Sequence, residues 1–82
     1  MHYTYILFSV QLDKFYIGST SMKPQLRLKK HLSNHKGFTA KAKDWTLFHT
    51  EVFDTLELAR KRELQIKKWK SKKMILNLIP ND

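Results

Sequence analysis

The sequence contains no cysteine and, in 82 residues, only two glycines and two prolines. Without thiols, neither a disulfide framework nor a thiolate zinc centre can supply the stability that small domains often lack, and the marks of a secreted scaffold are missing. A cytoplasmic protein is the expectation. So little glycine and proline, alongside 41% hydrophobic and 28% charged residues, excludes a low-complexity tail and leaves enough apolar material for a modest core. Long apolar runs are missing too. The run Tyr5 to Phe8 falls far short of the roughly 20 residues that span a bilayer, and no basic stretch precedes it as in a signal peptide, so no membrane insertion is expected. The length suits one domain, residues 1–82.

Acidic residues are also scarce. Seven Asp and Glu against 16 Lys and Arg leave a formal charge of +9, which points to a polyanionic partner. The excess is built late in the chain, where residues 60–73 hold eight bases and a single acid, Glu63. A solvated helix face would keep the protein soluble, but so large an excess repels itself, and phosphate binding accounts for it better. Lys30, Lys41, Arg62, Lys67, Lys68 and Lys70 are the candidates for contact with nucleic acid.

Aromatic and β-branched residues fill Tyr3 to Phe8 and recur in Lys14 to Gly18, which predicts two strands joined as an antiparallel hairpin. A turn centred between Val10 and Gln11 would set Tyr5 directly opposite Tyr16 on one face of the sheet. Ser21 as a hydroxyl cap and Pro24 in the first turn predict a helix from Pro24 to Ser33, with Arg27 and His31 one turn apart on one face. The aperiodic stretch Asn34 to Thr39 reads as a loop, and Trp45 to Phe53 as a third strand. Asp54 followed by Glu57 marks the start of a longer helix reaching about Lys70, and Met74 to Ile79 is apolar enough for a short final helix. The predicted fold is α+β: a small three-stranded antiparallel sheet flanked by helices, in the order ββαβα, with a short C-terminal helix in addition.

Glu63 shares a helical stripe with Leu56, Ala59 and Ile66, so a carboxylate interrupts a core-facing line. It must either pair with a cation, Arg60, Arg62 or Lys67 being nearest in sequence, or hold a metal at the rim of the core. Magnesium accepts one carboxylate together with water and substrate phosphate. Strand cleavage further requires a group to position or deprotonate water and a cation to neutralise charge at phosphorus, roles open to Tyr5, Tyr16 and Arg27. Zinc is not expected: His31 and His35 stand four apart, but no cysteine completes a site. His49 reads as a satisfied sheet residue, and Trp45 and Trp69 as core anchors more than base-stacking platforms.

Together, Tyr3-Thr4-Tyr5-Ile6-Leu7, Tyr16-Ile17-Gly18-Ser19-Thr20, Arg27 with His31, and Arg62-Glu63 followed by Ile66-Lys67-Lys68-Trp69-Lys70 resemble the GIY-YIG nuclease superfamily. The likeness is greatest to its minimal stand-alone members, related to the N-terminal nuclease of the excinuclease C subunit, and it covers residues 3–79. Tyr3 stands where the first motif usually has Gly, and the segment from Ser21 to Leu26 is about one residue longer than the family's. The resemblance implies a Mg²⁺- or Mn²⁺-dependent DNA endonuclease with Tyr5, Tyr16, Arg27 and His31 in the catalytic site and Glu63 as the metal ligand. Gly18 matches the glycine of the second motif, and Asn77 is the counterpart of a later polar residue. In this assignment Tyr16 activates water, Tyr5 positions it, and His31 assists protonation or orients Arg27. A structure-selective role in DNA repair or recombination, within a larger repair complex, follows from the same likeness.

Two other readings stand beside the enzyme: a catalytically silent nucleic-acid-binding module and a basic subunit docking on an acidic partner. If the basic helix binds a duplex backbone, the logarithm of affinity should fall with the logarithm of salt concentration by about 0.9 per neutralised phosphate. Charge reversal at Lys67 and Lys70 should flatten that slope, and an affinity indifferent to salt would favour a protein partner.

Overall fold

The structure is a computed structural model that describes residues 1–33 and 37–78. Three strands, β1 (His2–Ser9), β2 (Lys14–Thr20) and β3 (Thr46–Phe53), form one antiparallel sheet in the order β2-β1-β3. The helices are α1 (Pro24–Ser33), α2 (Leu56–Trp69) and α3 (Lys72–Leu76), and a 3₁₀ turn spans Phe38–Lys41. The expected α+β class and ββαβα order, with its short final helix, are what is found. The third strand begins one residue after Trp45, and the stretch read as a loop gives way to the 3₁₀ turn at Phe38. His35 and the end of the expected final helix, at Ile79, lie outside the described residues.

Because β1 is central, its side chains are covered on both faces, and Thr4, Tyr5, Ile6 and Leu7 are all essentially inaccessible. Strand alternation divides them between two clusters. Tyr5 and Leu7 pack with Ala42 and Trp45 beneath Leu28 and Leu32 of α1. On the opposite face Ile6 packs with Ile66 of α2 and Ile75 of α3, flanked by Phe15, Ile17 and Phe48. Phe48 reaches that cluster at a bulge: His49 pairs with Ile6 and Leu47 with Leu7, which leaves Phe48 as the extra residue. The hydroxyl of Thr4 donates to the Ala59 carbonyl at 2.6 Å and fastens α2 to the sheet.

The hairpin register differs from the expectation. Tyr5 pairs with Gly18 and Leu7 with Tyr16, because the loop has four residues, Val10 to Asp13, closed by the Asp13 amide donating to the Val10 carbonyl. Asp13 takes the left-handed conformation (φ 53°) that Asp tolerates. Each strand is thereby displaced by two positions, which preserves the face of every side chain, so Tyr5 and Tyr16 remain on one side as diagonal neighbours. Asp44 holds this loop, accepting from the Ser9 hydroxyl at 2.6 Å and the Gln11 amide at 2.8 Å.

Helix starts also differ in detail. Thr55, not Asp54, caps α2 by accepting from the Leu58 amide. Ser21 meets His2 Nδ1 at 3.1 Å, while the first turn of α1 closes through the Leu26 and Arg27 amides donating to the Lys23 carbonyl. The left-handed Lys70 (φ 50°) ends α2 where sequence placed its limit, and Ser71 caps α3.

Two carboxylates tie the pH dependence of stability to this fold. Hydrogen bonds from Ser9 and then Gln11 hold Asp44 below its ordinary pKa. Burial alone would raise Glu51, but hydrogen bonds from Arg62 and His49 outweigh it and leave its pKa lowered. A folded-state pKa below the unfolded one contributes stability above the unfolded value and loses it as pH falls through the folded value. The stability that these two carboxylates contribute should therefore be complete above about pH 5 and be lost increasingly below about pH 4. Asp44→Asn should lose part of that acid dependence in a thermal melt series.

Candidate active site

The candidate site begins at the glycine. Gly18 sits on edge strand β2 opposite Tyr5, and the Tyr5 ring lies directly over it: a Cβ built on Gly18 would fall 2.5 Å from the tyrosine oxygen and 2.7 Å from Cζ. Only bare backbone admits the ring there. Reaching past Gly18, the Tyr5 hydroxyl meets His31 Nε2 at 2.7 Å, while His31 Nδ1 meets the Thr39 hydroxyl at 3.1 Å. Trp45 Nε1–H donates to the Thr39 carbonyl at 2.9 Å and so fixes the far end of the chain. Trp45 is the core anchor expected of it.

Arg27 and His31 project from one face of α1, and Arg27 acts on both members of the Tyr5–His31 pair. Burial raises the Tyr5 pKa, with the Arg27 guanidinium drawing it partly back down, and neighbouring Tyr16 and Glu63 add to the rise. His31 is lowered, by burial first and the Arg27 charge second. At neutral pH both therefore carry no charge. Arg27 only donates, so the hydrogen-bond inventory assigns the phenolic proton to His31 Nε2 and the imidazole proton, on Nδ1, to Thr39. Tyr16 stacks beside Tyr5 with ring centroids 6.3 Å apart and a 16° interplanar angle, and its ring lies 4.8 Å from that of His31. Unlike Tyr5 it is only half-buried.

Glu63 approaches from the other side. It belongs to α2, which packs on the Ile6 face, and its Oε1 accepts from the Ser19 hydroxyl at 2.6 Å. Ser19 follows Gly18 on the edge strand and points to the opposite face, so the two halves of the site meet around the margin of β2. Oε2 of Glu63 takes the Lys67 ammonium at 2.5 Å, one of the ion pairs that the sequence allowed. Among the described residues no cluster of three or more His, Cys, Asp and Glu gathers for a metal. A half-buried carboxylate beside a hydroxyl nevertheless offers hard oxygen donors of the kind Mg²⁺ takes when it keeps most of its waters.

The remaining candidates are dispersed. Arg62 is engaged by Glu51, Nε to Oε1 at 2.8 Å, by Gln65, and by the Trp69 ring at 5.3 Å. His49 completes that group by bonding Glu51 at 2.8 Å and is satisfied within the sheet, as expected. Lys30, Lys41, Lys68 and Lys70 are exposed. Asn77 is exposed just after α3, on the face of the sheet away from His31. Sequence reasoning assigned no part to Ser19 or Thr39. Strand alternation puts Ser19 on the α2 face and was available as a signal; Thr39 lies in an aperiodic stretch and left none.

With this geometry in place, the comparison with known families is informative. The model of the GIY-YIG catalytic domain matches residues 1–77, and the chain belongs to that family of nucleases. Comparisons with curated proteins and with solved structures returned no match. No helix among the described residues is long and apolar enough to cross a membrane.

Stability should separate the two tyrosines. Tyr5→Phe strips His31 Nε2 of its donor inside the core, and Gly18→Ala drives a methyl into the Tyr5 ring; each should cost about 1–3 kcal/mol in urea unfolding. Tyr16→Phe, at a half-exposed position, should stay within about 0.5 kcal/mol.

Proposed function

We propose that the protein is a DNA endonuclease that hydrolyses phosphodiester bonds with one divalent ion, Mg²⁺ or Mn²⁺. The observation that carries this reading is convergence at the margin of β2: the Tyr5 ring lies over Gly18, stacks beside Tyr16 and meets His31 of α1, while the next residue, Ser19, holds Glu63 of α2. A pure binding surface has no use for a carboxylate amid its basic helix.

In this reading Glu63 holds the ion, with the Ser19 hydroxyl fixing the carboxylate. A bound divalent ion polarises a phosphoryl oxygen and offsets the charge that develops on it. Arg27 neutralises the phosphate from the α1 side. The water oxygen attacks phosphorus and the bond from phosphorus to the leaving sugar oxygen breaks, while the Tyr16 hydroxyl accepts the proton lost by water and passes its own to solvent, and the expelled sugar oxygen takes a proton from bulk water. Tyr16 suits the base better than Tyr5, whose raised pKa, buried ring and commitment to His31 make it a positioning group. His31, held neutral between Tyr5 and Thr39, keeps that phenol oriented. The likeness to the excinuclease C nuclease supports action on flapped or branched DNA in repair or recombination, as one cytoplasmic domain of residues 1–82 working with a larger repair complex.

One observation favours the alternative of a catalytically silent binding module: Glu63 already has a cation, Lys67. Cleavage decides between them. Incubated with supercoiled, flapped and branched DNA, the protein should nick only with Mg²⁺ or Mn²⁺. Glu63→Gln should lower the rate by at least about 100-fold while leaving DNA affinity unchanged or slightly higher. Undiminished nicking by Glu63→Gln would sink the one-ion mechanism, and a wild-type protein that binds but never cuts would establish the module.

A further inference from the structure

Phe38 opens the 3₁₀ turn and remains 39% exposed although it belongs to the aromatic group around the site. A single exposed apolar ring is ordinary on a protein surface. This one is braced. It stands edge-on to Tyr16, with centroids 6.3 Å apart at 63°, and it leans on Trp45 at 5.8 Å. Trp45 is itself buried and hydrogen-bonded to Thr39, so the ring is supported from behind by the same chain that orients His31. Gly37, immediately before it, takes φ 89°, a value that side chains rarely adopt.

Two ammonium groups flank the exposed ring. Lys41 Nζ lies 5.3 Å and Lys14 Nζ 6.0 Å from its centroid, within the range of a cation–π attraction. Neither is in an ion pair among the described residues, whereas Lys67, Lys72 and Arg62 are each held by a carboxylate. Next to Tyr16, then, the surface offers an aromatic face and two positive charges whose partner among the described residues is that face. Such a pairing of stacking platform and backbone cations is how proteins hold unpaired nucleotides. A base inside a duplex is already stacked on its neighbours and presents no face to a protein ring.

We propose that Phe38, with Lys14 and Lys41, forms a platform on which one unpaired base stacks beside the phosphodiester at Tyr16, so that single-stranded or flapped DNA is preferred over continuous duplex. The base takes the exposed ring face, and the two ammoniums move from the ring to the phosphates on either side of that nucleotide. This inference rests on the nuclease reading for the position of the phosphodiester, but binding alone tests it.

The test uses the Glu63→Gln protein, with Phe38 intact or changed to Leu, and oligonucleotides carrying the fluorescent base 2-aminopurine in single-stranded, flapped and blunt duplex forms. With Phe38 intact, binding should quench the unpaired 2-aminopurine. Phe38→Leu should abolish the quench and weaken single-strand and flap binding by about five- to hundredfold, with duplex affinity within about twofold. Phe38→Trp keeps an aromatic face and should retain the preference, which covers the case in which Phe38→Leu fails to fold. Lys14→Gln with Lys41→Gln should reduce the salt slope by about 0.7 per lost phosphate contact on single strands and leave the quench in place. Equal losses for all DNA forms, or unchanged single-strand binding by Phe38→Leu, would overturn the platform. Its failure is distinguishable from failure of the nuclease reading. Quenching by Glu63→Gln beside a wild-type protein that never cuts keeps the platform and removes the enzyme; cleavage of all forms alike by the wild type, with no quenching by Glu63→Gln, does the reverse.

Discussion

A tyrosine ring laid flat on the backbone of an edge strand is the contact from which the rest of this molecule is organised. Tyr5 occupies the space that any side chain on Gly18 would need, and from there its hydroxyl reaches a histidine one helix away. The preceding residue does the equivalent on the other face, where the Thr4 hydroxyl grips the Ala59 carbonyl of α2. Consecutive residues of the central strand thus anchor α1 and α2 on opposite sides, because side chains alternate. The two helices share one reference line, and Arg27 and Glu63 are positioned relative to each other through it. A slip of one residue in β1 would exchange the anchors and leave both hydroxyls facing the wrong helix.

The surplus of positive charge is less uniform than a net count suggests. Arg62 is absorbed by Glu51 and laid on Trp69, Lys67 by Glu63, and Lys72 by Asp13. The pairs of Lys67 and Lys72, whose ammoniums are exposed, contribute little stability, but all three spend cations that would otherwise meet phosphate. Three of the seven acids, Asp13, Glu51 and Glu63, thus subtract charge from the late basic segment. The open cations around Phe38 come instead from the start of β2 and from the 3₁₀ turn.

Much of the fold was legible because local signals agreed. Aromatic and β-branched runs mark all three strands, Pro24 marks the start of α1, and the interrupted stripe at Glu63 singles out the acid that meets Ser19 of β2. What escaped depended on turn chemistry or on contacts distant in sequence. The hairpin carries no Asn-Gly pair to fix its turn, so sequence centres the turn between Val10 and Gln11 where the structure centres it one residue later, between Gln11 and Leu12. That error was harmless to the faces because it came to two positions, an even number. Sequence assigns Tyr5 to positioning water; its bond to His31 depends on how α1 seats against the sheet, which no pattern in β1 encodes. Thr39 and Phe38 lie in a stretch without period, where sequence alone indicated only a loop.

The carboxylate and the phenols reach the margin of β2 from opposite ends of the chain, with Tyr5 near the beginning and Glu63 and Lys67 in the last long helix. During synthesis β1, β2 and α1 emerge before α2, so at one stage the chain holds them without it. Such an intermediate carries the tyrosines and Arg27 but neither the acid nor most of the basic helix. On the reading given above it can neither hold a metal nor cut, so a chain released early is harmless to nucleic acid and hydrolytic competence arrives together with the completed fold.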